Sequence, residues 1–178
     1  PTTTQPCSSA ESDVYKRQEK IKQIKNPYLI LDIGAAPGGW SHYLVNRYPR
    51  AEIFAIDILE MEEVEGVKFI QEDLRNIDQI DQLSGFKNKF NLVISDLAPN
   101  LSGISSVDNE NILELNFLTL DGALSFLDSD GIFIVKTFQN SNLKKFRKEM
   151  EKNFKIVQTA KPAASKKQSK EIYLYGIK

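Results

Sequence analysis

The chain has 178 residues, a length that suits one domain and allows a sizeable hydrophobic core. Hydrophobic residues make up 41% and charged residues 26%, as in ordinary globular proteins, and no stretch approaches the roughly 18 apolar residues of a membrane span. With one cysteine and one histidine, a disulfide framework, a Cys/His zinc site and a Ser–His or Cys–His nucleophile are not expected. We therefore expect chemistry based on carboxylates, lysines, hydroxyls or a bound cofactor, in a reducing, cytoplasmic setting.

The formal net charge is −1, which by itself argues against a nucleic-acid partner. The distribution of charge argues the other way, because residues 16–25, 142–148 and 161–170 are rich in cations, whereas 57–81 is rich in acids. Segregated charge of this kind can form a basic face on a nearly neutral protein. Each basic run taken alone is also typical of a solvated helix or loop, so both interpretations stay open at this point.

Residues 1–11 are rich in Thr, Ser and Pro, and we expect them to be disordered or foreign to the domain. The remainder, 12–178, is expected to form a single domain that begins with a short basic helix over 12–25. Apolar runs then alternate with amphipathic segments. The predicted strands are 28–33, 52–57, 67–70, 91–96, 131–136, 154–160 and 171–177. The predicted helices are 38–48, 76–83, 108–128 with Asp108 as N-cap, and 141–152 with Ser141 as N-cap.

Alternation of strands and helices predicts an α/β fold with a mostly parallel, seven-stranded sheet and helices on both faces. The last two strands are separated only by 161–170, which has no helical pattern. A parallel return needs a crossover of about a dozen or more residues, usually helical. The last strand is therefore predicted to run antiparallel to its neighbours.

A glycine-rich loop, LDIGAAPGGW, lies between the first strand and the first helix. Its small residues let a ligand approach the backbone, and the helix start offers free N–H groups. The spacing is not G-x-G-x-x-G, because Ala36 stands two residues after Gly34, and no Gly-Lys-Ser/Thr follows. Asp57 ends the second strand, where an acid can bind a ribose diol, and Asp73 follows the third strand, where it can contact an adenine edge. This combination favours a nucleotide-type cofactor over a simple tight turn.

Three charged residues are predicted to gather at one edge of the sheet. Asp96 ends the fourth strand and Lys136 the fifth, and ligands of open α/β sheets bind at the carboxyl ends of parallel strands. Neighbouring strands lie about 4.8 Å apart, so these two side chains can meet. Glu171 opens the antiparallel last strand and therefore starts at the same edge. A shared site is favoured over three independent exposed charges.

The motifs GAAPGGW, SDLAPN and VKTF and the late KEIY segment resemble the FtsJ/RrmJ-type (RlmE) ribosomal RNA large-subunit methyltransferase family. The resemblance runs from about residue 16 to the C-terminus. It implies a Rossmann-like, S-adenosylmethionine-dependent methyltransferase fold and transfer of a methyl group to a ribose 2′-hydroxyl. The absence of an Asn-Pro-Pro-Tyr motif, which marks many methyltransferases that act on base nitrogens, favours an oxygen acceptor.

The family carries a Lys-Asp-Lys-Glu tetrad, and Asp96, Lys136 and Glu171 match its last three members. Lys16 follows an aromatic residue, as the first lysine should, although its neighbours depart from the family pattern. Lys136 is the candidate base for the hydroxyl proton or, if it stays charged, a stabiliser of the developing alkoxide, with the two acids orienting it. The resemblance also implies a set of residues that line the S-adenosylmethionine pocket: Gly34, Gly38, Trp40, Asp57, Asp73 and Asp96.

The resemblance implies RNA as the partner. The first candidate substrate is a uridine of large-subunit ribosomal RNA within a ribosomal particle, and the second is transfer RNA. The basic segments, 161–170 among them, are expected to hold RNA phosphates, and a monomer with no metal and no membrane contact is expected. Two alternatives stay open. A nicotinamide-dependent oxidoreductase would share the glycine-rich loop and the acid after the second strand, but Ala36 stands where its fingerprint needs a second glycine. A non-catalytic RNA-binding or ribosome-assembly factor is the other alternative, and the three intact tetrad positions argue against it.

Overall fold

A computed structural model describes residues 27–160 and 170–178. The segments 1–11 and 12–25 and nearly all of 161–170 lie outside the described residues. The strands are β1 (Leu29–Ile33), β2 (Glu52–Asp57), β3 (Val67–Gln71), β4 (Phe90–Ser95), β5 (Leu127–Phe138), β6 (Ile156–Ala160) and β7 (Glu171–Ile177). The helices are α1 (Gly39–Arg47), α2 (Ser105–Phe126) and α3 (Leu143–Asn153), and 3-10 helices cover Leu74–Gln79 and Asp81–Phe86. None of the helices in this part of the chain is long and apolar enough to span a membrane.

The seven strands form one sheet in the order β3-β2-β1-β4-β5-β7-β6. Strands β1 to β5 run parallel, and β7 runs antiparallel to both β5 and β6. The predicted sheet and its antiparallel last strand are therefore confirmed. The order reverses between β1 and β4, so the connections leave these two strands in opposite directions and open a crevice at their carboxyl ends. We call this side of the sheet the carboxyl edge.

Side chains alternate along the strands and pack into two hydrophobic clusters, one on each face of the sheet. Leu31 and Val93 pack with α2, α3 and the 3-10 helices on the face that we call the α2 face. Ile30 and Ile94 pack with Leu44 of α1 on the opposite face, the α1 face. Central strands buried on both sides explain the continuous apolar runs of the sequence, and helices cover both faces as predicted.

The helix predicted over 76–83 is instead two short 3-10 helices. Leu74, Ile77, Ile80 and Leu83 are all buried and recur every three residues. A period of three places these side chains on one side of a 3-10 helix, which has three residues per turn, whereas an α-helix would rotate them apart. The prediction identified the buried segment but assigned it the wrong helical geometry.

The sequence predicts Asp108 as the N-cap of α2, but the structure does not place it there. The helix begins at Ser105, and Asp108 lies in its first turn. The Asp108 carboxylate accepts hydrogen bonds from the backbone N–H and hydroxyl of Ser102, both at 2.7 Å, and from the Gly103 N–H at 3.1 Å. Asp108 therefore stabilises the loop that precedes the helix.

Ser141 is likewise not the N-cap of α3, which begins at Leu143 with Asn142 in the N-cap position. The Ser141 hydroxyl accepts a hydrogen bond from Asn109 of α2. The Asn142 side-chain amide donates to the Asn109 carbonyl at 3.2 Å and to the Glu110 carboxylate at 2.9 Å. These bonds hold the start of α3 against the first turns of α2.

Candidate active site

The glycine-rich loop follows β1 at the carboxyl edge and is tied to β2. The backbone N–H groups of Gly34 and Ala35 both donate to the Ile56 carbonyl. Gly34 has φ +77°, and a Cβ built on it would lie 2.3 Å from the Leu97 side chain. The left-handed backbone and the close approach of Leu97 both require glycine here.

Asp57 ends β2 directly beneath this loop and is nearly fully buried. Its carboxylate accepts the Ala36 N–H at 2.9 Å through Oδ2 and the Leu59 N–H at 2.8 Å through Oδ1. Each carboxylate oxygen can accept more than one hydrogen bond, so Asp57 keeps capacity for a ligand hydroxyl. Asp73 caps the next 3-10 helix through the Arg75 N–H and forms a 2.9 Å ion pair with the Arg75 guanidinium.

A cleft of about 200 Å³ opens between the glycine-rich loop, the end of β2 and the segment after β3. Its polar lining is dominated by the acids Asp57, Glu72 and Asp73, with Arg75 as a cation. Hydrogen bonds from Asn76 and from the Asp73 N–H lower the pKa of Glu72, which keeps it an ionised acceptor. The remaining walls are apolar side chains: Ile33, Ile56, Ile58, Leu74, Leu97, Leu115 and Leu118.

This lining suits the adenosine part of S-adenosylmethionine. Ribose hydroxyls and an adenine amino group are hydrogen-bond donors and need acceptors, while the flat base needs apolar walls. Gly34, Asp57 and Asp73 line the cleft, where the sequence placed them. Gly38 and Asp96 are not among its lining residues, and the cofactor-binding role of all five residues stays a prediction.

Trp40, the sixth predicted pocket residue, lies in the core of the α1 face. It is 2% exposed, and its ring meets Tyr43 and Tyr173 edge to face, with centroids 6.0 Å and 6.2 Å apart. Trp40 therefore lies outside the cleft lining and packs α1 against β7, and its role in cofactor binding also stays a prediction.

Asp96 and Lys136 meet at the carboxyl edge, as predicted. Ser95 of β4 pairs with Val135 of β5, so the next residue on each strand emerges beside the other. The Lys136 Nζ and Asp96 Oδ1 atoms lie 2.9 Å apart, and the two side chains are 13% and 21% exposed. This ion pair is largely shielded from water yet reachable from the edge of the sheet.

Tyr173 completes this cluster and is not among the residues predicted from the sequence. The residue pairs with Lys136 across β5 and β7, and its hydroxyl donates a 3.0 Å hydrogen bond to the Asp96 Oδ1. Asp96 Oδ1 thus accepts both donors, while within the described part of the chain no hydrogen bond or ion pair involves Oδ2. Period-two alternation from Glu171 could have indicated Tyr173, since both residues face the same side of β7.

Glu171 lies at the same edge and on the same face, but two register positions further out. It pairs with Phe138, is exposed, and stands two residues from Tyr173. In the part of the chain that the structure describes, Lys136 forms its ion pair with Asp96 and none with Glu171. Lys16, the fourth candidate, lies outside the described residues.

Two buried polar pairs, neither predicted from the sequence, hold helices against the strands that end at the carboxyl edge. Ser41 Oγ donates to Asp32 Oδ2 at 2.7 Å and links α1 to the strand that leads into the glycine-rich loop. Asn116 Nδ2 donates to Thr137 Oγ1 at 2.7 Å and fixes α2 beside the end of β5.

Among the described residues, no group of three or more His, Cys, Asp or Glu side chains is arranged to hold a metal ion.

We expect Asp108→Asn to lower the Tm at pH 7 and to change it little near pH 3. Hydrogen bonds from the Ser102 hydroxyl and N–H hold the pKa of the Asp108 carboxyl below its ordinary value. A pKa lowered by folding stabilises the protein above the unfolded-state value, about 3.9, and this stabilisation is lost as the pH falls through the folded-state value. Thermal unfolding between pH 3 and 8 measures the effect.

Asp121→Asn is the matched control for this prediction, because Asp121 is an exposed acid on the same helix. It is expected to leave the Tm nearly unchanged across the pH range. If both variants lose the same stability at pH 7, the hydrogen bonds of Asp108 do not stabilise the loop before α2.

The sequence is similar to one family of methyltransferases and to its curated members. The model of the FtsJ-like methyltransferase family matches residues 14–178. The ribosomal RNA large subunit methyltransferase E of Dechloromonas aromatica is 40% identical over 172 residues, which cover 95% of this chain and 84% of the relative. The protein of the same name from Acinetobacter baylyi is 41% identical over 164 residues, which cover 89% of this chain and 75% of the relative.

Solved structures resemble this chain over nearly its full length. A crystal structure from Plasmodium falciparum, described as that of a ribosomal RNA methyltransferase, has a TM-score of 0.79 at 26% identity and covers 96% of this chain and 97% of its own. The 1,6-didemethyltoxoflavin-N1-methyltransferase of Burkholderia thailandensis, solved with S-adenosylhomocysteine, has a TM-score of 0.63 at 12% identity. The match covers 97% of this chain and 79% of that protein. The second comparison supports the fold alone.

Proposed function

This chain belongs to the FtsJ-like methyltransferase family, and from that membership we propose that it methylates a ribose 2′-hydroxyl of large-subunit ribosomal RNA, at a uridine. It is an enzyme whose methyl donor is S-adenosylmethionine, as the family indicates. The observation that carries the choice of a hydroxyl acceptor is the Asp96–Lys136–Tyr173 cluster at the same sheet edge as the adenosine-type cleft. The names of the curated relatives support ribosomal RNA.

The cofactor, when bound, supplies an electrophilic methyl group on a sulfonium. Asp57 is proposed to hold its ribose diol and Asp73 its adenine edge, from either side of the cleft. The backbone at Gly34 provides the close approach that a side chain there would prevent. Asp57 also binds backbone N–H groups on both flanking loops, so the cleft is already shaped before a ligand enters.

On the acceptor side, Lys136 and Asp96 are proposed to position the hydroxyl and manage its proton. A lysine ammonium has three N–H donors, and the Asp96 Oδ1 engages one of them, which leaves donors for the ribose oxygen. Asp96 Oδ2 is proposed to accept a hydrogen bond from the hydroxyl. The proton then leaves to this carboxylate or to Lys136 in its neutral form, and Glu171 is proposed to orient the ribose from the outer register position.

The wider assignments follow from the same family membership. We infer that the RNA is methylated within a large-subunit particle in the cytoplasm and that residues 12–178 form one catalytic domain that acts as a monomer. Lys16 is proposed as the fourth member of the catalytic set, and the basic segment 161–170 as a contact for RNA phosphates.

The direct test is transfer of labelled methyl groups from S-adenosylmethionine to protein-free ribosomal RNA and to isolated large-subunit particles, followed by mapping of the modified nucleotides. We expect 2′-O-methylation of a uridine in the large-subunit RNA. Methylation confined to transfer RNA would replace ribosomal RNA as the substrate, and methyl groups on bases would refute the hydroxyl acceptor. Cofactor binding without transfer to any RNA would favour an assembly factor.

Lys144→Glu is expected to weaken RNA binding about tenfold at 0.1 M salt and to reduce its salt dependence by about one phosphate contact. Lys144 is exposed near the start of α3, whose N-terminus lies at the carboxyl edge, and no ion pair in the described part of the chain engages it. An acid so early in a helix also suits the helix dipole, so the variant should fold. Filter binding across a salt series measures the change.

Lys155→Glu is the control, because Lys155 lies beside the start of β6 at the opposite edge of the sheet, where it forms an exposed 3.6 Å ion pair with Asp130. It is expected to leave RNA affinity nearly unchanged. Equal loss in both variants would indicate a general charge effect and would remove α3 from the proposed RNA contact.

A further inference from the structure

The first turns of α2 project beyond the carboxyl edge of the sheet. Asn116, in the middle of the helix, is hydrogen-bonded to Thr137 near the end of β5, and this contact marks the level of the edge. From Asn116 back to Ser105 the helix rises about 16 Å, at about 1.5 Å per residue. This projecting part, together with the preceding loop, forms a wall on the α2 face that stands beyond the carboxyl edge.

The wall carries an apolar surface that no other part of the described chain covers. Leu101 is 62% exposed, Ile104 60% and Val107 45%, and all three lie on the loop after β4 or on the first turn of α2. We call them the apolar platform. Single exposed apolar side chains are ordinary on protein surfaces, whereas three within seven residues, on the segment that follows Asp96, indicate a binding surface.

The platform is held in place before any ligand arrives. Asp108 accepts three hydrogen bonds from Ser102 and Gly103, which lie between Leu101 and Ile104. Asn142 at the start of α3 binds the next turn of α2 through Asn109 and Glu110. A surface fixed by these bonds loses little conformational freedom on binding, as suits a recognition element.

We propose that the apolar platform receives an unstacked nucleobase of the RNA substrate, adjacent to the ribose that is methylated. The proposal rests on the proposed function. Four residues separate Leu101 from Asp96 along the chain, so the platform follows closely on the residue that is proposed to bind the 2′-hydroxyl. Sequence-specific RNA recognition uses splayed bases whose faces stack on aromatic or Arg side chains, and the aliphatic side chains of the platform offer the face of a base an apolar contact instead.

Charge near the platform supports RNA as its occupant. Lys144 and Lys148 on α3 are exposed, and no ion pair in the described chain engages either of them. Glu110, the nearby acid of α2, has its carboxylate engaged by Asn142. An apolar surface beside unpaired cations suits a base next to its phosphates better than it suits a lipid or an apolar peptide.

The first experiment compares the double variant Leu101→Ser/Ile104→Ser with Ile156→Ser, which removes an exposed apolar side chain at the opposite edge. For the double variant we expect the Kd for protein-free ribosomal RNA to rise about fivefold to twentyfold, with S-adenosylmethionine affinity unchanged, and for the control no change. Unchanged RNA affinity would overturn the proposal. So would a loss seen only with intact ribosomal particles, since that would assign the platform to a protein contact.

The second experiment does not depend on how well those variants fold. Ile104→Trp and the control Ile156→Trp introduce a fluorescent ring at either edge, and stacking of a base on the ring quenches its emission. RNA is expected to quench the first and not the second, and the absence of quenching in the first would contradict base packing. Methylation by the unaltered protein tests the proposed function separately, so failure of one is distinguishable from failure of the other.

Discussion

Lys136→Ala is expected to lower kcat for methyl transfer about a thousandfold or more, while the affinity for S-adenosylmethionine changes less than about threefold. The side chain is 13% exposed and lies 2.9 Å from Asp96, at the edge where the acceptor hydroxyl is proposed to bind. It is not among the residues that line the adenosine-type cleft. Loss of the amine therefore removes the group that acts on the hydroxyl and spares the cofactor. Single-turnover methylation and calorimetric titration of the cofactor measure the two effects.

Substitution of Lys136 also leaves the Asp96 carboxylate without its ion-pair partner, so the stability of the variant has to be measured. Lys136→Met retains the apolar stem and should fold well while remaining inactive. Lys136→Arg keeps the positive charge but cannot act as a base at neutral pH. Appreciable activity in that variant would support the electrostatic role, whereas near-normal methylation by Lys136→Ala would refute the assignment of this lysine.

The sequence sufficed for the sheet and for the meeting of Asp96 with Lys136 because both depend on local patterns. Continuous apolar runs mark strands that are buried on both faces, and each charged residue follows such a run directly. Parallel strands end at one edge, so two strand-end charges on neighbouring strands must be close. The direction of β7 followed from the length of the connection alone.

Other features depend on contacts that no local pattern predicts. Asp108 has the residue type and position of a helix cap, but the loop folds back so that Ser102 and Gly103 reach its carboxylate first. Trp40 belongs to a motif associated with the cofactor, yet its large apolar ring is buried between α1 and β7. In both cases tertiary packing determines where the side chain lies, and the sequence alone allows more than one position.

Tyr173 was missed for a related reason. A tyrosine in a strand that is otherwise apolar is most often a core residue, and the ring of Tyr173 is indeed buried against Trp40. Only the register across β5 and β7 places its hydroxyl on Asp96. Because Trp40 packs on this ring, the core of the α1 face supports the position of a polar group at the active edge.

Asp96→Asn is expected to lower kcat about a hundredfold or more, because it removes the negative charge beside Lys136 while keeping the size of the side chain. The Asn carbonyl can still accept the hydrogen bonds that Lys136 and Tyr173 donate to Oδ1. A large loss of kcat would therefore show that the negative charge of Asp96 is needed, and with it the proton acceptor proposed at Oδ2. Initial rates at saturating RNA and cofactor provide the measurement.

Tyr173→Phe is the matched control for this prediction, since it removes one hydrogen bond to Asp96 and leaves the charge in place. A fall of about fivefold is expected, because a phenyl ring preserves the packing on Trp40 and Lys136 still orients the carboxylate. If Tyr173→Phe is as inactive as Asp96→Asn, orientation rather than charge is the contribution of Asp96. Cofactor titration of Asp96→Asn decides the remaining role, because a tenfold loss of S-adenosylmethionine affinity is expected only if Asp96 also borders the bound donor.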